Sequence, residues 1–146
     1  MKFSNILLIE NNQDDAELAL ISLSSLDNII NDIIHIKDGE EALDYLFAIG
    51  KYSNRNKLEV PALILLDLKM PKVGGIEVLH KIKQDEVLKD IPVVVFTSSN
   101  EEKDIISSLK NGANSFIQKP VDGYEYDKTL KEIGLFWLNQ SASAVQ

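Results

Sequence analysis

The chain has 146 residues, 45% of them apolar and 26% charged, which is the make-up of one globular domain with one core. It contains no cysteine, which excludes disulfides, thiolate zinc sites and thiol catalysis, and no apolar run approaches the ~20 residues of a membrane helix. A net charge of −8, with no Lys/Arg cluster to offset it, argues against nucleic acid and membrane surfaces as partners and leaves proteins and hard cations.

The first apolar run, residues 6–9, is too short and ends on too acidic a segment to be a secretory signal, so a cytoplasmic location is expected. Residues 6–9, 62–66 and 93–96 are continuously apolar and rich in branched side chains, as in strands buried on both faces. Residues 33–36 and 115–117 are weaker strand candidates. Between the strands, helical spacing sets Ala16, Ala19, Leu20 and Leu23 on one face, then Ala42, Tyr45, Leu46 and Ile49. Ile76, Leu79 and Ile82 follow, then Ile105 and Leu109, and finally Tyr126, Leu130, Ile133 and Trp137. Asp38-Gly39 opens the second helix, Asn100-Glu101-Glu102 the fourth, and Asn111-Gly112 stops the fourth. A long polar loop covers residues 50–61. The small, polar residues 141–146 are expected to form a disordered tail, leaving 1–140 as the folded domain.

Five strand–helix units in this order imply an α/β fold, a doubly wound parallel sheet with right-handed crossovers. Such sheets bind ligands at the carboxyl ends of their strands. There stand Glu10, Asn11 and Asn12 after the first strand, Asp67 after the third, Thr97-Ser98 at the fourth and Lys119-Pro120 after the fifth. Glu10 and Asp67, with Asn11 as a neutral third, offer oxygen ligands to Mg²⁺. Asp67 is also a candidate carboxylate nucleophile, with Lys119 and the Thr97 hydroxyl placed to neutralise and bond a phosphoryl group. Each residue alone has a plainer reading as a turn, a cap or a solvated lysine. For Asn12, Asp14 and Asp15 the plainer reading, a helix cap and acids at a helix N-terminus, is preferred. Coincidence at four of the five strand ends is the signal. His35 and His80 have no spaced partner ligands and read as structural. Gly74-Gly75 reads as a tight turn, since no phosphate-loop pattern surrounds it.

Leu63-Ile64-Leu65-Leu66-Asp67-Leu68-Lys69-Met70-Pro71, followed by Gly74-Gly75, resembles the phosphoacceptor segment of response-regulator receiver domains. Phe96-Thr97-Ser98 resembles the family's switch segment, and Gly112-Ala113-Asn114 through Phe116-Ile117-Gln118-Lys119-Pro120 its fifth-strand signature. The likeness runs in order from about Asn5 to Leu138. The long 50–61 loop, Pro120-Val121-Asp122 and Phe136-Trp137-Leu138 are similar to stand-alone receivers of the cyanobacterial phytochrome type.

The resemblance implies a flavodoxin-like (βα)5 sheet in strand order 2-1-3-4-5. It implies that Asp67 accepts a phosphoryl group from the phosphohistidine of a histidine kinase, with Mg²⁺ held by Glu10, Asn11, Asp67 and the Lys69 carbonyl. Lys119 matches the phosphate-contacting lysine, and the bond to Pro120 is expected cis. Thr97 and Phe116 match the coupled switch pair that reshapes the face of the fourth helix, fifth strand and fifth helix for an unknown downstream protein. Such a protein is a signalling module and not an enzyme, beyond self-phosphorylation and slow autodephosphorylation. Only eight residues follow Leu138, so no output domain is expected there.

Asn11 departs from the family, which carries an acid there. A charge pair at ~4 Å is worth ~4 kcal/mol at an effective dielectric of about 20, before screening and desolvation, so weaker resting Mg²⁺ binding is expected. The alternative is a phosphorylation-independent, degenerate receiver acting as an interaction module. An aspartyl-phosphate phosphatase would need a second Asp where this chain has Lys69, and a flavodoxin-type cofactor protein a Ser/Thr/Gly-rich first loop. Leu135, Phe136 and Leu138 fall off the main stripe of the last helix. They either cover a neighbouring element or form an interface, and the similar receivers favour a homodimer through this helix.

Overall fold

The computed structural model describes residues 4–145. Strands β1 (Ser4–Ile9), β2 (Ile30–Ile36), β3 (Leu63–Leu66), β4 (Val93–Thr97) and β5 (Ser115–Gln118) form one parallel sheet ordered β2-β1-β3-β4-β5. Helices α1 (Gln13–Ser24), α2 (Gly39–Phe47), α3 (Gly75–Gln84), α4 (Glu102–Lys110) and α5 (Gly123–Val145) alternate with them. This is the expected doubly wound α/β fold in the expected order.

Successive strand residues face opposite sides. Ile6, Leu8, Leu63, Leu65, Val94 and Phe96 therefore meet α1 and α5 through Ala16, Ala19, Leu23, Tyr126 and Leu130. Leu7, Ile9, Ile64, Leu66, Val93 and Val95 meet α2 and α3 through Ala42, Leu46, Val78 and Leu79. Two-sided burial is why the central strands are apolar without alternation. Among the described residues no helix is long and apolar enough to cross a membrane.

Three expectations change or resolve. The second helix ends at Phe47, because Ala48 adopts a left-handed conformation (φ 56°) as its cap, and this turns Ile49 out to solvent. The stripe expected in α4 is weak: Leu109 is half exposed, and Ser108 is the buried residue of this helix. α4 lies over β5, an edge strand of partly exposed residues, which gives it less sheet to cover. Leu138 turns into the α1–α5 core, whereas Leu135 and Phe136 are exposed. The backbone of α5 is helical to Val145.

The polar loop is tied down. The Arg55 guanidinium lies 3.8 Å from the centre of the Tyr45 ring and donates to the carbonyls of Tyr45 and Glu59. The Tyr52 hydroxyl donates to Glu41 at 2.5 Å, and Lys57 pairs with Asp85 at 2.8 Å beyond the end of α3.

Candidate functional site

The hydrogen-bond ladder runs one residue past the ends of β1, β3 and β5 and so delivers Glu10, Asp67 and Lys119 in register beside Thr97 at the end of β4. The backbone N–H of Glu10 donates to Ile36 at 3.0 Å, that of Asp67 to Ile9 at 3.0 Å, and that of Lys119 to Thr97 at 2.7 Å. Gly75 lets the loop after Asp67 close: a Cβ there would lie 2.6 Å from both the Asp67 carbonyl oxygen and the Leu68 Cα. Close approach is the reason for a glycine at this place, as expected from the Gly74-Gly75 turn.

Three carboxylates surround one ammonium. Lys119 Nζ lies 2.8 Å from Glu10 Oε1, 2.7 Å from Asp15 Oδ2 and 3.7 Å from Asp67 Oδ2. Glu10, Asp67 and Lys119 are all buried, at 2%, 7% and 8% exposure. The Asn12 N–H donates to Glu10 Oε2 at 3.0 Å, which fixes that carboxylate from its other side. Burial, and then the neighbouring Asp67 charge, push the Glu10 carboxyl up from 4.5 to about 7, against the pull of Lys119. One lysine is shared by three carboxyl groups. Burial works to lower the Lys119 pKa, but bonds to Asp15 and Glu10 and the Asp67 charge outweigh it and hold the ammonium above its ordinary value.

Thr97 is fully buried at the end of β4, and its Oγ1 lies 3.5 Å from the Ser99 N–H. Phe116 pairs with Val95, two residues before Thr97, so Thr97 and Phe116 share the α3–α4 side of the sheet. Lys69 is exposed, and its N–H lies 3.5 Å from Asp67 Oδ1. Asn11 is exposed, with its Nδ2 donating to the Lys37 carbonyl at 3.1 Å. The Lys119–Pro120 bond is a correction: among the described residues no peptide bond is cis. Trans is the lower-energy form of an X–Pro bond by roughly 0.5–1 kcal/mol.

Asn12 caps α1 as expected, accepting from the Asp15 N–H at 3.0 Å. Asp15 itself was missed as a site residue. An acid in the first turn of a helix already has a sufficient reason in the helix dipole, and its pairing with Lys119 spans 104 residues of sequence. His35 is structural, with Nε2 bonded to the Glu10 carbonyl at 2.9 Å; His80 Nδ1 meets Asn111 Oδ1 at 3.1 Å.

A buried acidic rim with an inserted lysine at the carboxyl edge of a 2-1-3-4-5 sheet is a specific arrangement. The sequence profile of the response regulator receiver domain matches residues 6–131. The chain belongs to this family. The receiver is 38% identical over 135 residues to the response regulator Rcp1 of Synechocystis, covering 91% of this chain and 88% of that relative. It is 37% identical over 138 residues to the probable methanogenesis regulatory protein FilR2 of Methanothrix harundinacea, covering 94% and 86%. A crystal structure of the phosphorylated cyanobacterial phytochrome response regulator RcpA matches it with a TM-score of 0.89 at 37% identity, over 95% of this chain and 96% of that one. The Mn²⁺-bound form of Rcp1 matches with a TM-score of 0.84 at 38% identity, over 92% and 94%. The receiver is thus a module of phosphorylation-based two-component signalling, similar to the cyanobacterial phytochrome regulators.

Proposed function

We propose that Asp67 is the phosphoacceptor of this receiver and that a histidine kinase is the donor. The observation that carries this is the buried Lys119 ammonium 3.7 Å from Asp67 Oδ2, on a rim shared with Glu10. In the proposed step an Asp67 oxygen attacks the phosphorus of a phosphohistidine; the P–O bond forms as the P–N bond breaks, and the imidazole leaves with its electron pair. Phosphoryl transfer asks mainly for positioning and charge neutralisation. Lys119 supplies a fixed positive charge, and the Thr97 hydroxyl supplies a donor to a phosphoryl oxygen. Movement of Thr97 towards the phosphoryl group opens space for Phe116, which reshapes the α4–β5–α5 face for a downstream protein.

The donor set suits a hard divalent cation, since it is all oxygen and brings two buried carboxyl groups, Glu10 and Asp67, to one rim. Glu10, Asp67, the Lys69 carbonyl and the Asn11 amide would hold Mg²⁺, which neutralises phosphoryl oxygens when bound. That Rcp1 has been solved with Mn²⁺ and RcpA phosphorylated supports this reading. Asn11 removes one negative charge from the set, so resting Mg²⁺ affinity is lower than with an acid there. The retained Glu10, Asp67, Thr97 and Lys119 disfavour a degenerate, phosphorylation-independent module. The only catalysis proposed is the receiver's own phosphorylation and its slow reversal, in the cytoplasm.

Intact-mass spectrometry after incubation with acetyl phosphate and Mg²⁺ tests the proposal. One phosphoryl group is expected on the wild type and none on Asp67→Asn. An unlabelled wild type, or label that survives the substitution, refutes it.

A further inference from the structure

The phosphoryl chemistry leaves Asp15 without a task, yet Asp15 makes the shortest contact of Lys119, 2.7 Å against 3.7 Å to Asp67. The two carboxylates that hold the ammonium by hydrogen bonds are not equivalent. Glu10 is sealed at 2% exposure and fixed by the Asn12 N–H, whereas the Asp15 side chain is 29% exposed at the open end of α1. Released from Lys119, the Asp15 carboxylate regains water, while the sealed Glu10 carboxyl would lose a hydrogen-bond partner that water cannot replace. Lys119 cannot ride far on its backbone, since its N–H is bonded to Thr97 at 2.7 Å. Its long side chain is what moves.

We infer that Asp15 is a positioning residue, the resting partner of Lys119, and that Lys119 exchanges Asp15 for a phosphoryl oxygen when Asp67 is phosphorylated. This rests on Asp67 being the acceptor. Lys119 keeps Glu10 throughout, and the exchange sets how readily the phosphorylated state forms. The Asp15 backbone carbonyl accepts the Tyr126 hydroxyl of α5 at 3.0 Å, and the Tyr126 ring lies 5.3 Å from that of Phe96 on β4. Release of the Asp15 side chain therefore occurs at the joint between α1 and α5.

The test is calorimetric binding of beryllofluoride with Mg²⁺ to wild type, Asp15→Asn, Asp15→Ala, Lys119→Met and the double variant Asp15→Asn/Lys119→Met. Removing the competing carboxylate is expected to tighten beryllofluoride by about tenfold, the scale of one hydrogen bond to a charged group. The gain is expected to vanish in the Lys119→Met background. Equal or weaker binding by both Asp15 variants overturns the exchange. So does an undiminished gain without Lys119, because simple repulsion between Asp15 and the phosphoryl group would then account for it. Absence of beryllofluoride binding by the wild type removes the acceptor reading and the exchange with it. The resting pair is then judged separately by an unfolding double-mutant cycle at positions 15 and 119.

Discussion

Glu10 makes the stability of the metal-free receiver depend on pH with a sign opposite to that of ordinary paired carboxylates. Its carboxyl is buried beside Asp67 and titrates at about 7 in the folded protein, against 4.5 for the free group. Between those values the folded chain keeps a proton that the unfolded chain has released, so stability falls as pH rises. The contribution is fully present below about 4.5 and lost above about 7; at ~1.4 kcal/mol per pH unit it amounts to about 3 kcal/mol. Glu10→Gln copies the protonated side chain in shape and keeps an oxygen for Lys119, so it removes the slope. Urea unfolding in EDTA, followed by fluorescence of the lone Trp137, measures both proteins at several pH values from about 5 to about 8. The variant is expected to gain on the wild type with rising pH, and the difference is expected to level off above pH 7. A difference that stays constant across this range refutes the reasoning.

Gly75→Ala is expected to cost about 1–3 kcal/mol in urea unfolding, since its Cβ meets the Asp67 carbonyl oxygen and the Leu68 Cα at 2.6 Å. The same substitution displaces the loop after Asp67 and is expected to slow labelling by acetyl phosphate; unchanged stability and rate would contradict the close approach. The paired change Leu135→Ser and Phe136→Ser removes exposed apolar surface from α5. It is expected to leave stability within about 0.5 kcal/mol per site and to abolish, in sedimentation, the homodimer expected through this helix. A wild type that sediments as a monomer refutes the homodimer expected from the resemblance.

The central strands were legible because they are buried on both faces, which leaves continuous branched apolar runs at residues 6–9, 62–66 and 93–96. Glu10, Asp67, Thr97 and Lys119 were legible because a doubly wound sheet has one chemical edge, and each residue directly follows or ends a strand. What escaped is what depends on side-chain reach or on neighbours distant in sequence. Asp15 carries a pattern that the helix dipole already explains, and its link to Lys119 is made only in three dimensions. Helical spacing placed Leu109 inside because it cannot know that α4 covers an edge strand. It left Leu138 open between a neighbouring element and an interface, because the last helix buries residues beyond the single stripe that spacing picks out. Ile49 was lost to the left-handed turn at Ala48, a conformation that alanine's identity does not announce. The trans bond before Pro120 departs from an expectation that came from family likeness and not from any local residue.

The bracing of residues 50–61 has a consequence for how this molecule can diversify. Its frame is held from within by a guanidinium stacked on a phenol ring, and at its flank by a lysine bound to Asp85. Leu58 and Val60, both exposed, are displayed on that frame without supporting it. These displayed positions can change while the buried rim of Glu10, Asp67 and Lys119 stays intact, so the outer surface of this loop and the rim can vary independently.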